Sequence, residues 1–408
     1  MIFASVIMII GLSLVAIISQ VRGYRLGGVM VLPILAIYTL REPLSIIIFI
    51  VGTVAAWISL WALQEHTLNY GRRLFLSAII VGVIATIVMG YILSLTFPSQ
   101  LSFSHGEAIA SIFPGIMAYN LMREDPENRR GDLRMMCYIY LMLVAIGVVS
   151  LWAFAEFNTL TPPFLRLPTS DITNWIRIEP RGGAYPKVIP SWIVLMFLPV
   201  AVLIYEGFRQ RYDHRLVGII ILPALCFFSV QSTLTIFVYV TGATITFYIT
   251  GLIHRMTLLY GRVLLTISIL LGTVYSLIAG IVVSNSVPGV ILFFTGLFVG
   301  IGSYNLNRVS RKTRLAHVRI DAGLFVVFYG FLFVLIDIPI TGLLYNDRIF
   351  YVIVGALIIT LATVEMHRLE QSIPDPETFA GESIFAYTSS GDIDPTDSPL
   401  VADTEEDT

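Results

Sequence analysis

Thirteen apolar segments, most of them near twenty residues long, limit what this chain can fold into. They run 2–20, 26–40, 43–63, 74–97, 106–122, 133–154, 190–208, 216–231, 233–253, 263–284, 288–306, 318–337 and 349–368. About 20 apolar residues in a helix cross a bilayer core about 30 Å thick. Within that core every backbone polar group must find its partner in protein, which favours helices. The pattern therefore predicts an all-α, polytopic helical membrane protein of about 12–13 spans. Composition agrees, because only 13 % of the 408 residues are charged, against roughly a quarter in soluble domains. Segments 26–40 and 106–122 are short for a full crossing and read as partial or re-entrant helices shielded by their neighbours. The first segment lacks a basic flank and a small-residue cleavage signal, so it reads as a retained helix and not a signal peptide.

The basic residues orient the chain. They fall in connections holding Arg22 and Arg25; Arg72 and Arg73; Arg123, Arg129, Arg130 and Arg134; Arg209, Arg211 and Arg215; Arg255 and Arg262; and Arg308, Arg311, Lys312, Arg314 and Arg319. With thirteen spans all of these connections share one side, which the positive-inside rule makes cytoplasmic. The N-terminus is then outside and the C-terminal tail inside a cell-membrane protein. Eleven of the 27 acidic residues stand from Glu370 onward with no Lys or Arg among them, leaving 16 acidic against 25 basic residues in the rest. Residues 369–408 are rich in Pro, Ser and Asp and read as a disordered acidic cytoplasmic extension.

The chain repeats itself. "TLNYGRRLF" (Thr67–Phe75) returns as "TLLYGRVLL" (Thr257–Leu265), and "YRLGGVMVLPILAI" (Tyr24–Ile37) returns as "HRLVGIIILPALCF" (His214–Phe227), both 190 residues on. "GIMAYNLMRE" (Gly115–Glu124) returns as "GIGSYNLNRV" (Gly300–Val309) after 185. Six spans per copy is an even number, so the two copies should be parallel, related by a pseudo-two-fold along the membrane normal. The expected organisation is a first membrane repeat (1–154), an extracytoplasmic connection (155–189), a second repeat (190–337), a final span (338–368) and the tail.

Several residues could carry chemistry, and each has a plainer reading. Tyr70, Gly71 and Arg72, with Tyr260, Gly261 and Arg262, read either as belt tyrosines with snorkelling arginines or as an anion clamp. In the clamp, glycine admits a ligand close to the backbone and the guanidinium grips a carboxylate through two hydrogen bonds. Ser104-His105-Gly106-Glu107 reads either as a helix capping box or as an acid–base pair in which His105 and Glu107 respond to protons at the outer mouth. Asn120 and Asn305 read as helix C-caps or as substrate ligands. Pro33 and Pro223 interrupt matching apolar segments, as kinks or as cavity-lining breaks. Gly23-x-x-x-Gly27 and Gly296-x-x-x-Gly300 read as helix-packing faces. Cys137 and Cys226 lie in apolar runs without metal-ligand spacing. No Walker A loop, HExxH or nucleophile elbow occurs, so neither cofactor nor metal is expected, and no ATP-using reaction by this chain alone.

At Gly27–Pro33, Tyr70–Arg73 and Pro114–Asn120 the chain resembles the integral membrane subunit of poly-γ-glutamate synthases, the PgsC/CapC capsule family. The second half keeps Leu222-Pro223, Tyr260-Gly261-Arg262 and Tyr304-Asn305 but has Val299-Gly300 where the first has Pro114-Gly115. The resemblance implies a tandem duplication of the family unit, working in poly-γ-glutamate biosynthesis and polymer export. The partners it implies are a cytoplasmic Mur-ligase-like ATP-dependent ligase, other synthase subunits and an anionic polyglutamate chain in a lipid bilayer, with no nucleic acid. The alternative is a secondary transporter for a small carboxylate or amino acid, which parallel repeats and membrane prolines also fit. A third class is an intramembrane scaffold.

Overall fold

A computed structural model of the chain describes residues 2–41, 43–67, 71–96, 111–153, 191–212, 218, 220–283, 287–309, 311, 314–335 and 348–371. His105, Glu107, Tyr70, the connection 155–189 and the acidic tail beyond residue 371 lie outside them. Among the described residues there are thirteen helices and no strand. They are α1 (Ile2–Arg22), α2 (Val31–Arg41), α3 (Ser45–His66), α4 (Arg72–Thr96), α5 (Phe113–Met122), α6 (Pro126–Ala153) and α7 (Ser191–Tyr212). Then follow α8 (Ile221–Gln231), α9 (Leu234–Thr257), α10 (Gly261–Val282), α11 (Gly289–Asn307), α12 (Arg314–Leu335) and α13 (Arg348–Gln371). One helix answers to each of the thirteen apolar segments. Seven of the thirteen are long and apolar enough to cross a membrane.

The exposed surface confirms what solvent these helices expect. On α3, Ile47, Ile50, Val54, Trp57, Ile58 and Trp61 face outward, and on α9 so do Phe237, Val240, Ile245, Tyr248 and Leu252. Such faces are tolerable only where the surroundings are hydrocarbon. The chain is a multi-pass membrane protein.

The repeat holds element by element. Shifting α2 by 190 residues gives the bounds of α8, residues 221–231, and the same shift carries α1, α3 and α4 onto α7, α9 and α10 to within a few residues. Both α2 and α8 have 11 residues, about 16 Å of helix at 1.5 Å per residue, or half a bilayer core. Every residue of α2 is buried, and of α8 all but Gln231. They are the axes around which each half packs, α2 against α1, α3 and α6, and α8 against α9, α11 and α12.

Proline explains their shortness. Pro33 and Pro223 sit in the first turns of α2 and α8 and do not kink a longer helix. A first-turn residue has no intrahelical use for its N–H, so proline costs nothing there. The stretch before α2 is irregular backbone, with Gly23 and Gly27 at φ 72° and 63°. That turn corrects the reading of Gly23-x-x-x-Gly27 as a helix face, because α1 ends at Arg22. Gly296 and Gly300, in contrast, do form a packing face. A Cβ on Gly300 would stand 2.3 Å from the Ile269 Cα, and one on Gly296 would stand 2.5 Å from the Ser276 Oγ, both on α10. The first half has the same device, for a Cβ on Gly115 would stand 2.0 Å from the Ala78 carbonyl oxygen of α4.

The halves interlock through reciprocal contacts. α1 of the first half packs on α10 of the second. In return Leu76 of α4 joins Val202 and Tyr205 of α7 and Leu324 of α12 in one buried cluster. α13 lies outside this arrangement, seated on α12, where Gly330 faces the Gly355 backbone and Arg319 pairs with Glu365.

Candidate functional site: an arginine cluster shared by the two halves

The irregular turn 23–30 is held by side chains from α5 and α6. The Leu26 N–H donates to Asp132 Oδ1 at 2.9 Å, and Asn120 Nδ2 donates to the Gly27 carbonyl at 3.2 Å. Asn120 also donates to Ile116 O within α5, so it ties a turn to a helix and does not cap the α5 C-terminus. Arg25 Nε meets Glu124 Oε2 at 3.1 Å, and Arg129 donates to the Glu124 carbonyl at 3.1 Å. Both acids are buried, Glu124 at 6 % exposure and Asp132 at 0 %.

The Tyr-Gly-Arg elements open α4 and α10 at this same end. Gly71 and Gly261 have φ of 63° and 64°. A Cβ at either would meet nothing within 4 Å, so the sequence needs glycine for its left-handed conformation. The Gly71 carbonyl accepts from Tyr119 OH at 3.2 Å, and Tyr119 in turn accepts from Arg123 at 3.2 Å with the guanidinium 5.7 Å from its ring centroid. Phe75 completes this by an edge contact on Tyr119. The α4 N-terminus, the α1–α2 turn and the α5 C-terminus therefore meet at one end of the molecule.

Arg262 arrives at that end from the other half. It stands at the start of α10 with its surface open, and partial burial lowers its pKa, as do Arg25 and Arg123 nearby, while Glu124 and Asp132 raise it. Since α4 and α10 start at the same end, the two halves are parallel. The cluster sets three guanidinium groups against two carboxylates, and the acids are the buried members. What it offers outward is therefore cationic, with Arg123 and Arg262 on the surface. Guanidinium forks suit carboxylates and phosphates. Among the described residues no group of His, Cys, Asp or Glu could hold a metal ion.

Of the other residues singled out in the sequence, Tyr260 is exposed and makes an edge contact 5.0 Å from His254. Asn305 lies in the last turns of α11, half-buried and engaged. Arg72 begins α4. Sequence reasoning placed Arg123 and Arg129 in a basic connection but missed the role of Tyr119 and the burial of Glu124 and Asp132; for Tyr119, Arg123 and Arg129 the repeat carried the signal. Arg308 donates to Tyr304 OH at 3.4 Å and stands 5.7 Å from its ring, copying Arg123 on Tyr119. Arg314 donates to the Val309 carbonyl at 3.0 Å, copying Arg129 on Glu124. The copy lacks the acids, since Glu124 and Asp132 correspond to Val309 and His317 at the offset of 185.

Fold and site thus define a duplicated, multi-pass membrane protein with a cationic cluster shared between its halves. The family model for capsule biosynthesis CapC matches residues 10–130 and again 200–315, and the chain belongs to that family. No curated protein and no solved structure matches it. The two matched stretches begin 190 residues apart, the spacing of the repeated motifs.

Proposed function

We propose that this chain is the membrane subunit of a poly-γ-glutamate synthase and export complex. A cytoplasmic, Mur-ligase-like ATP-dependent ligase on another chain makes the amide bonds, and this chain receives the anionic product. The observation that carries the reading is the twofold match to the CapC capsule family. The arginine cluster supports it chemically. Buried Glu124 and Asp132 fix Arg25 and the turn backbone, which leaves exposed Arg123 and Arg262 to meet successive carboxylates of a polyanion. A few exposed arginines hold such a chain without trapping it, because exposed ion pairs contribute only about 0.2–1 kcal/mol each. In this reading the arginine-rich end faces the cytoplasm, as the positive-inside rule requires.

The test is deletion of the gene followed by assay of γ-linked glutamate polymer at the cell surface, with complementation by variants. Loss of polymer on deletion is expected. Arg262→Lys should restore it in part and Arg262→Gln less, with the protein present in the membrane at its usual level. Unchanged polymer together with altered uptake of a small carboxylate would overturn the proposal in favour of a secondary transporter.

A further inference from the structure

The short helices α2 and α8 end on the side of the molecule opposite the arginine cluster, since α3 and α9 run from those ends to the starts of α4 and α10. α8 passes into α9 through Ser232 and Thr233 alone, with Ser232 extended at φ −151° and ψ 108°. The Ser232 N–H still donates to the Phe228 carbonyl at 2.9 Å. Among the described residues, however, the carbonyls of Ser229, Val230 and Gln231 accept no backbone N–H. Ser229 and Val230 are buried and Gln231 is half-buried. A helix C-terminus carries the negative end of the helix dipole, and its last carbonyls need partners from outside the helix.

Two hydroxyls stand on either side of this turn. Ser229 lies in the last turn of α8 and Thr235 in the first turn of α9. Both are 0 % exposed, and neither hydroxyl has a hydrogen-bond partner among the described residues. Buried hydroxyls elsewhere in the chain behave differently, for Thr53, Thr86, Thr273 and Thr295 each donate to the carbonyl four residues back. The counterpart of Ser229 at the offset of 190 residues is Thr39, which donates to Leu35 O at 2.9 Å and accepts from Tyr140 OH at 3.0 Å. The counterpart of Thr235 is Ser45, whose Oγ is likewise buried without a hydrogen bond, so that hydroxyl is common to both halves. A buried hydroxyl left without a partner is costly and asks for a ligand.

What differs between the halves is charge. The last residue of α2 is Arg41, 6 % exposed, so a cation is built into that helix end. The last residue of α8 is its counterpart Gln231, and the final turn of α8 has no basic residue. The second half thus sets neutral oxygens alone, from carbonyls, hydroxyls and an amide, at the negative end of a buried half-helix. Oxygen ligands suit hard cations, and a divalent ion takes carboxylates to offset its charge. Half-helix C-termini with unwound carbonyls coordinate singly charged ions. We propose that the α8 C-terminus binds an alkali-metal cation through the carbonyl oxygens of Ser229, Val230 and Gln231 and the hydroxyls of Ser229 and Thr235. The ion supplies to the second half the charge that Arg41 supplies to the first.

The test follows thermal unfolding of the full chain in detergent, in sodium, potassium and choline chloride at equal ionic strength. Sodium or potassium should raise the midpoint by several degrees over choline, and saturably, because a ligand of the folded state stabilises it by mass action. Gln231→Arg, which installs the residue of the first half, should remove the difference between salts while its midpoint in choline is no lower than that of the unmodified protein. Ser229→Ala, a smaller change, should move the saturation to higher salt. The unmodified protein gives a check that needs no variant, since radiolabelled sodium or rubidium should bind saturably and be displaced by its own unlabelled chloride but not by choline. Equal midpoints in the three salts, no saturable binding of either ion, or an alkali-metal effect that survives Gln231→Arg would each overturn the assignment.

Discussion

Gly71 and Gly261 are the residues on which both copies of the repeated element depend. With φ near 63° and open space where a side chain would go, their cost of substitution is conformational alone. Gly261→Ala should therefore destabilise by about 1–2 kcal/mol, and Gly261→Asn by less, because asparagine tolerates the left-handed region. Thermal unfolding of the purified protein in detergent measures both. Asp132 makes a sharper case, since its Oδ1 is the partner of the buried Leu26 N–H. Asp132→Ala leaves that donor unsatisfied and should cost about 1–3 kcal/mol. Asp132→Asn keeps an accepting oxygen and should recover most of the loss on the same measurement. At this scale the repeat showed which residues recur, Tyr-Gly-Arg among them, but not their partners. A one-dimensional match says that Tyr119 and Arg123 recur as Tyr304 and Arg308. It does not say that the tyrosine hydroxyl bridges the arginine to the Gly71 carbonyl.

Among the elements, the glycine contacts between α4 and α5 and between α10 and α11 set how closely those helices approach. Gly115→Val or Gly300→Val drives a branched side chain into backbone only 2.0–2.3 Å from its Cβ. No rotamer relieves that, so the helices must separate, and the overpacking cost should reach or exceed the usual 1–3 kcal/mol. A fall in the monodisperse fraction on size-exclusion chromatography checks it, with Gly207→Ala, where nothing stands within 4 Å, as the neutral control. All thirteen helices were legible as apolar segments because hydropathy is a local property. The beginnings of α2 and α8 were less so. Pro33 and Pro223 signal a break, but whether a proline kinks a helix or starts one depends on the preceding turn, and before α2 that turn's hydrogen bonds come from residues about a hundred positions away.

For the molecule as a whole, the reciprocal packing of α1 on α10 and of α4 with α7 makes each half the other's support. Cutting the chain within 155–189 and expressing both pieces together should give halves that co-purify. Either half alone should aggregate or degrade, because the cut leaves the α1 or α4 contact face bare. Recovery of a stable, monodisperse 1–154 fragment would contradict this. Internal repetition in the sequence predicted two parallel units. It could not predict which surfaces meet, since similarity between copies carries no information about their interface. The arginine cluster was hidden for the same reason, being assembled from Arg262 of one half and Arg25, Arg123, Glu124 and Asp132 of the other.

The turn before α2 also has a history during synthesis. Its Leu26 amide waits for an acid 106 residues downstream, and its Gly27 carbonyl for an amide 93 residues downstream. At about 5–20 residues per second of translation, that is some five to twenty seconds in which the stretch has no partner inside the bilayer. An 11-residue helix is too short to enter alone. Segment 23–41 must therefore linger at the translocon or the interface until α5 and α6 emerge, and α2 should be among the last parts of its half to take its place in the membrane.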